Sequence, residues 1–201
     1  MNKAKCILGT GLISKFGLQY DDSEGEKETK KLLADALIVM RVVRADGLAH
    51  QINPFLFIGS IGCAYNQEEL MRCGITHIVC ATRRAKNKFS QTIRYHRVNI
   101  EDSIQEDITP MLEPFIAFVD TARLSDETNK ILVHCFQGKS RACSLCIAYM
   151  MHRVFQKPSD RKYEVENLFH SLLDLVRACR PIVCPNESFK RQIIAYFQDR
   201  L

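Results

Sequence analysis

Cys135 and Arg141 bracket five residues where an apolar run ends, and this arrangement could both bind and attack a phosphate. Residues 134–141 read His-Cys-Phe-Gln-Gly-Lys-Ser-Arg and follow Lys-Ile-Leu-Val at 130–133. A thiol between a strand and a helix faces backbone N–H groups and the positive end of the helix dipole, which favour the thiolate. The same N–H groups can hold phosphoryl oxygens while the Arg141 guanidinium binds two of them. The candidate substrate-binding residues are therefore Phe136, Gln137, Gly138, Lys139 and Ser140.

The composition is that of a globular protein. Of the 201 residues, 46% are hydrophobic and 25% are charged, which suits one domain with an extension. No apolar run reaches the ~18 residues that a membrane span needs. The net charge of +5 favours anionic substrates and is too small to indicate nucleic-acid binding. Nine cysteines without a disulfide-scaffold spacing indicate a reducing compartment. We therefore expect a cytoplasmic location, with the nucleus as an alternative.

The N-terminal part of the chain is predicted to stand apart from the rest. Residues 1–29 are expected to be a flexible segment, because they combine glycines with a charged stretch and lack a clear period. Residues 30–46 are predicted to hold an amphipathic helix, over Lys30–Arg44. Its apolar stripe consists of Leu33, Leu37, Met40 and Val43. This helix either packs on the following domain or binds a calmodulin-like partner.

Residues 47–201 alternate short apolar runs with helical stretches, which predicts a single α/β domain. The predicted strands are Gln51–Ile58, His77–Ala81, Tyr95–Asn99 and Lys130–His134. The predicted helices are Asn66–Cys73, Ile108–Leu124, Arg141–Val154, Arg161–Cys179 and Glu187–Gln198. Asp107 is expected to cap the second of these helices and Asn186 the last one.

The sequence His-Cys, five residues, Arg resembles the signature of the cysteine-dependent protein tyrosine phosphatases. Other stretches are similar to the dual-specificity branch: Ile-Asn-Pro-Phe-Leu-Phe-Ile-Gly-Ser at 52–60, Gly-Ile-Thr-His-Ile-Val at 74–79, Asn-Ile-Glu-Asp-Ser at 99–103, and Arg-Pro-Ile-Val-Cys-Pro-Asn at 180–186 with Phe189 and Gln192. The resemblance covers roughly residues 50–201, and plant-type members with Cys-Phe-x-Gly-Lys-Ser-Arg look most similar. It implies a dual-specificity phosphatase fold, with a central, mostly parallel twisted sheet of four to five strands flanked by helices.

The same resemblance implies hydrolysis of phosphotyrosine and phosphoserine/threonine through a phosphocysteine, with no metal or cofactor. The implied substrates are phosphorylated proteins, with MAP kinases as candidates. Attack by Cys135 requires a proton for the leaving oxygen, and the resemblance places this role on Asp102. Glu101 is the alternative, because the sequence does not decide which carboxylate faces the pocket. A thiol ionised by its loop needs no base, so we expect His134 to support the loop through a hydrogen bond.

Ala142 departs from the family pattern, in which a Ser or Thr hydroxyl donates to the thiolate. A hydrogen bond to a charged group is worth ~1.5–3 kcal/mol, or about one to two powers of ten in rate. We therefore expect slow hydrolysis of the phosphocysteine. Two functions stay open on this sequence, an enzyme and a module that binds phosphorylated proteins. Lys139 at the rim also leaves phosphoinositides as a substrate class.

A pair of cysteines and a cluster of basic residues each allow a structural interpretation and a functional one. Cys143 and Cys146 lie three positions apart on a predicted helix, which favours buried small residues over metal ligands. A reversible disulfide between Cys135 and Cys143, or another nearby cysteine, is the alternative. Six basic residues between two predicted strands form either a solvated loop or a surface that attracts acidic phosphoprotein segments. They are Arg83, Arg84, Lys86, Lys88, Arg94 and Arg97.

Overall fold

The computed structural model describes residues 34, 37, 46–83, 85–156 and 164–200. The predicted flexible segment 1–29 and almost all of the predicted helix Lys30–Arg44 lie outside these residues. Of that helix only Ala34 and Leu37 are described, and both are helical and exposed. Within the described residues, no helix combines the length and apolar character needed to cross a bilayer.

A five-stranded, mostly parallel sheet forms the centre of the domain. Its strands are β1 (His50–Gln51), β2 (Leu56–Gly59), β3 (Ile75–Cys80), β4 (Arg94–Arg97) and β5 (Lys130–His134). They lie in the order β1-β2-β5-β3-β4, and only β1 runs antiparallel to its neighbour. The predicted α/β class and the predicted parallel sheet of four to five strands are confirmed. Because β5 lies in the middle of the sheet, the residues that follow it start from a strand that is paired on both sides.

The predicted single strand Gln51–Ile58 is wrong, because the chain turns in its middle. The Asn53 side chain accepts hydrogen bonds from the backbone N–H groups of Phe55 and Leu56, at 3.1 and 2.9 Å. Such a side-chain turn competes with a strand ladder, and the following Pro54 has no N–H to give to one. The segment therefore folds into the β1–β2 hairpin, and only β2 extends the parallel sheet.

Helices cover both faces of the sheet. They are α1 (Ile61–Ala64), α2 (Gln67–Cys73), α3 (Thr109–Ser125), α4 (Arg141–Phe155), α5 (Val165–Cys179) and α6 (Glu187–Gln198). Alternate residues of the strands point to opposite faces, so Ile131 and Val133 join the core under α3 to α6. Leu132 joins a smaller core with α1 and α2. Helix α4 is buried along residues 141–151, which places its first turn, next to the candidate loop, inside the protein.

Helix boundaries follow the predicted ones closely. Asn186 caps α6 through its side chain, which accepts from the Phe189 N–H at 2.8 Å, as predicted. The predicted cap at Asp107 is wrong, because helix α3 begins at Thr109 and its N-cap is Ile108, which makes no side-chain cap hydrogen bond. The Asp107 carboxylate lies one position before the cap and accepts from the backbone N–H of Thr109 at 2.9 Å. The short helix α1 was not predicted. The predicted helix Arg161–Cys179 begins in a segment, 157–163, that lies outside the described residues. Within the described residues, α5 begins at Val165 and ends at Cys179, as predicted.

Candidate active site

Residues 135–141, here called the phosphate loop, connect the C-terminal end of β5 to the first turn of α4. Ligands of open α/β sheets bind at this end of the strands, where a helix N-terminus also presents its free N–H groups. The structure therefore brings all the predicted loop residues to one place. Cys135 is 2% exposed and Arg141 is 8% exposed, so both groups lie largely out of water.

Four carbonyl groups of the phosphate loop point away from its centre, because each accepts a hydrogen bond from outside the loop. The pairs are Ile61 N to Phe136 O at 3.1 Å, Arg180 Nη2 to Gln137 O at 2.8 Å, Arg180 Nε to Gly138 O at 2.9 Å, and Cys184 N to Lys139 O at 2.8 Å. In a planar trans peptide the C=O and N–H bonds point in opposite directions. The N–H groups of residues 137–140 are therefore turned inward. One of them, Gly138 N, donates to Cys135 Sγ at 3.2 Å.

Gly138 is required by the shape of the loop. Its φ of +65° lies in the left-handed region, which side chains disfavour. A Cβ atom there would also lie 2.4 Å from the carbonyl oxygen of Gly59, on the neighbouring strand β2. The loop can pass this close to β2 only without a side chain.

The Arg141 guanidinium lies at the inner end of the loop with capacity left for a ligand. Its Nη1 donates to the Ile100 carbonyl at 3.3 Å. Its Nε is buried, and no residue in the described part of the chain accepts a hydrogen bond from it. Buried polar groups are nearly always paired, so this N–H points to a bound acceptor. The adjoining cavity has a volume of about 110 Å³ and is lined by Asp102, Cys135, Phe136, Gln137, Lys139, Ser140 and Arg141.

Asp102 lines the cavity, whereas Glu101 is not among the residues that line it. Oδ1 of Asp102 accepts from Ser140 Oγ at 2.7 Å and from Asn186 Nδ2 at 2.9 Å. The Glu101 carboxylate lies 4.0 Å from Arg141 Nη1, and its side chain is 41% exposed. Of the two sequence candidates, only Asp102 is hydrogen-bonded to the phosphate loop.

His134 is buried next to Cys135, and its ring is hydrogen-bonded to the Cys135 backbone. Its Nδ1 lies 3.1 Å from the Cys135 carbonyl oxygen, and because a carbonyl can only accept, Nδ1 carries the proton. Burial lowers the pKa of His134 to about 4. A neutral imidazole that donates to the loop backbone matches the supporting position expected from sequence.

Sequence reasoning missed two side chains that hold this site. Arg180 supports the loop from beneath, and Asn186 reaches Asp102 in addition to capping α6. Both lie in the segment 180–186, which from the sequence carries only a resemblance to the family. The sequence offered no local signal for these contacts, because Gly138 lies 42 positions from Arg180 and Asp102 lies 84 positions from Asn186.

The two cysteines of α4 lie in the core, and two residues of the basic cluster bind backbone carbonyls of the protein. Cys143 and Cys146 are fully buried, as predicted, and burial raises the pKa of both thiols. Arg97 donates to the carbonyls of Thr82 and Ala85, and Arg83 donates to Asn99 O and to Glu106. Two of the six basic residues thus hold the loops around the site, while Arg84 lies outside the described residues.

A thiol in a ring of inward N–H groups, closed by a buried guanidinium on an α/β sheet, defines a cysteine-based site for a tetrahedral oxyanion. The chain belongs to the dual specificity phosphatase family, since the family model "Dual specificity phosphatase, catalytic domain" matches residues 56–199.

Individual relatives agree with this assignment. Dual specificity protein phosphatase 2 of Homo sapiens is 30% identical over 146 residues, which cover 73% of this chain and 42% of that protein. The MAP kinase phosphatase with leucine-rich repeats protein 3 of Dictyostelium discoideum is 33% identical over 147 residues, covering 73% of this chain and 16% of that protein. The crystal structure of the human tyrosine phosphatase-like serine/threonine/tyrosine-interacting protein superposes with a TM-score of 0.64 at 27% identity, covering 76% of this chain and 97% of that one. The chain thus spans less than half the length of these two curated relatives.

Proposed function

We propose that this protein is a dual-specificity protein phosphatase that hydrolyses phosphotyrosine and phosphoserine/threonine through a phosphocysteine. The observation that carries the proposal is the geometry of the phosphate loop. Its N–H groups face inward around Cys135, and the buried Arg141 Nε has no acceptor among the described residues. Both features suit a bound phosphoryl group, which would accept hydrogen bonds from these donors.

In the first step, Cys135 Sγ attacks phosphorus. The S–P bond forms as the P–O bond to the substrate oxygen breaks, and the leaving oxygen takes a proton from Asp102. The inward N–H groups and the Arg141 guanidinium stabilise the equatorial oxygens of the transferring phosphoryl group. Membership of the family and the position of Asp102 at the cavity support this assignment.

In the second step, water attacks the phosphocysteine. Asp102, now a carboxylate, takes the proton of the water as the S–P bond breaks and the thiolate leaves. Ala142 is fully buried in the first turn of α4 and offers no hydroxyl to that thiolate. Slow turnover at this step remains our proposal.

Phosphorylated proteins are the substrates we propose, with MAP kinases as candidates, because one relative is named a MAP kinase phosphatase. The exposed side chains of Gln137 and Lys139 lie at the cavity rim and would contact residues flanking the phosphate. A cytoplasmic location, with the nucleus as an alternative, suits such substrates. The calmodulin-like partner of Lys30–Arg44 stays a prediction, since that segment lies outside the described residues.

The test compares the wild-type protein with Cys135→Ser and Asp102→Ala. We expect the wild type to hydrolyse p-nitrophenyl phosphate and phosphopeptides, Cys135→Ser to be inactive, and Asp102→Ala to retain phosphoproteins in a pull-down. Circular dichroism and thermal melting serve as the folding control. Activity that survives in folded Cys135→Ser would exclude the mechanism. Release of phosphate from phosphoinositide vesicles but not from phosphopeptides would reassign the substrate class.

A second candidate is a binding module for phosphorylated proteins with little turnover. It is favoured by Ala142 and by the similarity to a phosphatase-like protein whose name calls it an interacting protein. In this case the wild type and Cys135→Ser would both be inactive, while both bind a phosphopeptide that Arg141→Ala does not bind.

A further inference from the structure

Arg180 lies outside the phosphate cavity but makes two of the four hydrogen bonds that hold the loop carbonyls outward. Its side chain is 2% exposed. Nε donates to Gly138 O at 2.9 Å, and Nη2 donates to Gln137 O at 2.8 Å. Nη1 donates to Asp46 Oδ1 at 3.2 Å, and Nη2 also contacts Asp46 Oδ2. The guanidinium thus joins two loop carbonyls to one carboxylate.

The contact with Gln137 reaches the nucleophile through a single peptide unit. The carbonyl of Gln137 and the N–H of Gly138 belong to the same planar group and point in opposite directions. Because Arg180 holds the carbonyl outward, the N–H is held inward, where it donates to Cys135 Sγ at 3.2 Å. The bond to Gly138 O fixes the N–H of Lys139 in the same way. Arg180 therefore orients two of the N–H groups that would face the sulfur and the phosphate.

Asp46 sets the orientation of Arg180. A buried guanidinium needs a counter-charge, and a two-point contact with a carboxylate also fixes its plane. Asp46 is itself held, since its backbone carbonyl accepts from Ser60 Oγ at 2.9 Å. Asp46 binds both Nη atoms at the end of the guanidinium. The side of the guanidinium that carries Nε and the second N–H of Nη2 therefore faces the loop carbonyls.

We propose that Asp46 and Arg180 form a positioning pair that holds the phosphate loop in its anion-binding conformation. The proposal rests on the proposed function of that loop and deepens it. Neither residue lines the cavity, and neither would touch the substrate. Their effect reaches Cys135 through the peptide units of Gln137 and Gly138.

The test uses Arg180→Lys, which keeps the charge but replaces the planar guanidinium, with its three separate nitrogens, by one compact ammonium group that cannot reproduce the fixed geometry towards two carbonyls and a carboxylate. A hydrogen bond to a charged group corresponds to about 10- to 100-fold in rate or affinity. We expect kcat/KM for p-nitrophenyl phosphate to fall at least about 10-fold, and orthovanadate to protect Cys135 from iodoacetamide about 10-fold less well. The pH midpoint of Cys135 alkylation, followed by mass spectrometry of its peptide, should move upward by about one unit.

Asp46→Asn is the second variant, because it keeps the shape of the side chain and removes only the charge. We expect it to shift the same three readouts in the same direction by a smaller amount. The matched control is Arg123→Lys. Arg123 also donates to backbone carbonyls, including Asn129 O at 3.0 Å, but it does so before the start of β5, at the other end of that strand. This control should change the melting temperature without moving the alkylation midpoint.

Alkylation and orthovanadate protection do not require turnover, so the pair is tested even if the wild type hydrolyses nothing. An inactive wild type with a shifted midpoint in Arg180→Lys would refute the proposed function and support the positioning pair. Lower melting temperatures with unchanged alkylation midpoint, vanadate protection and kcat/KM would overturn the pair. If Arg180→Lys does not fold, Asp46→Asn decides between these outcomes.

Discussion

The side-chain amide of Asn186 donates to Oδ1 of Asp102 at 2.9 Å, although the two residues lie 84 positions apart. The same Asn186 side chain caps α6 by accepting from the Phe189 N–H. Ser140 Oγ is the second donor to Asp102 Oδ1, at 2.7 Å. Because both donors contact Oδ1, a proton on this carboxyl group lies on Oδ2. The proposed general acid is therefore oriented jointly by a helix cap and by the phosphate loop.

Asn186→Ser separates the two contacts of Asn186. Serine is a good helix cap but is too short to reach Asp102, so we expect the melting temperature to change little. The loss of one hydrogen bond on the acid should lower kcat/KM, which reports the first chemical step, about 5- to 10-fold for a phosphoserine peptide. p-Nitrophenyl phosphate should be affected less, because its leaving group needs little protonation. Equal losses on both substrates would argue against a contact that orients the acid.

Ala142→Ser should speed the second chemical step. A hydroxyl that donates to the departing thiolate is worth roughly 1.5–3 kcal/mol, so we expect steady-state turnover to rise about 10-fold or more. Rapid-mixing experiments should show a burst of nitrophenol in the wild type and a smaller burst in the variant. Ala148→Ser makes the same substitution at another fully buried position of α4 and should leave the burst unchanged. A burst of equal size in the wild type and Ala142→Ser would contradict the proposal.

Gly138→Ala should abolish phosphate binding as well as reduce stability. Its positive φ alone disfavours alanine by ~1–2 kcal/mol, and the approach of its Cβ to Gly59 O at 2.4 Å adds a backbone clash. Gly74→Ala is the matched control, since Gly74 has a φ of +68° but only Lys130 side-chain atoms within 4 Å, at 3.7 Å. We expect about 1 kcal/mol of destabilisation for Gly74→Ala and about 3 kcal/mol for Gly138→Ala. Urea unfolding and orthovanadate binding measure the two effects.

His134 should make folding stability depend on pH on the acid side of neutrality. Burial lowers its pKa from 6.5 to about 4. Between these two pH values the imidazole is protonated in the unfolded chain and neutral in the folded protein. Its contribution is fully present above pH 6.5 and falls as the pH drops toward 4, by ~1.4 kcal/mol per unit and about 3 kcal/mol in all.

His134→Asn should flatten this part of the pH dependence, because the amide keeps a donor near the Nδ1 position and does not titrate. The free energy of unfolding, measured in urea between pH 7 and pH 4.5, checks the difference between variant and wild type. His170→Asn, on the surface of α5, should leave the slope as it is. A wild-type slope that persists in His134→Asn would refute the assignment.

Local signals were enough to predict several elements from the sequence. Strand β5 matches the predicted Lys130–His134, because an unbroken apolar run bounded by turn residues leaves few alternatives. Helix α6 matches the predicted Glu187–Gln198, because Asn186 marks its start. The prediction failed at 51–58, where a side-chain turn at Asn53 divided an apolar run that otherwise has strand character.

The placement of Cys135 and Arg141 at the two ends of one loop was also predicted from sequence, because their spacing follows an apolar run. The groups that hold this loop were not predictable in that way. Arg180 and Asp46 lie 134 positions apart, and a guanidinium that binds backbone carbonyls leaves no local pattern. Proximity of this kind follows only from the packing of α4, α5 and α6 on the sheet.

The outward carbonyls of the phosphate loop have a consequence for when the site forms during synthesis. Three of their four hydrogen bonds come from Arg180 and Cys184, which the ribosome makes some tens of residues after Cys135. Of these four hydrogen bonds, a nascent chain that ends at Arg141 can form only the one from Ile61. The outward orientation of the loop carbonyls is complete only when the segment 180–184 packs against the loop, so we expect the anion site to form together with the domain. For the same reason, the signature transplanted into another scaffold would lack the donors that turn its N–H groups inward.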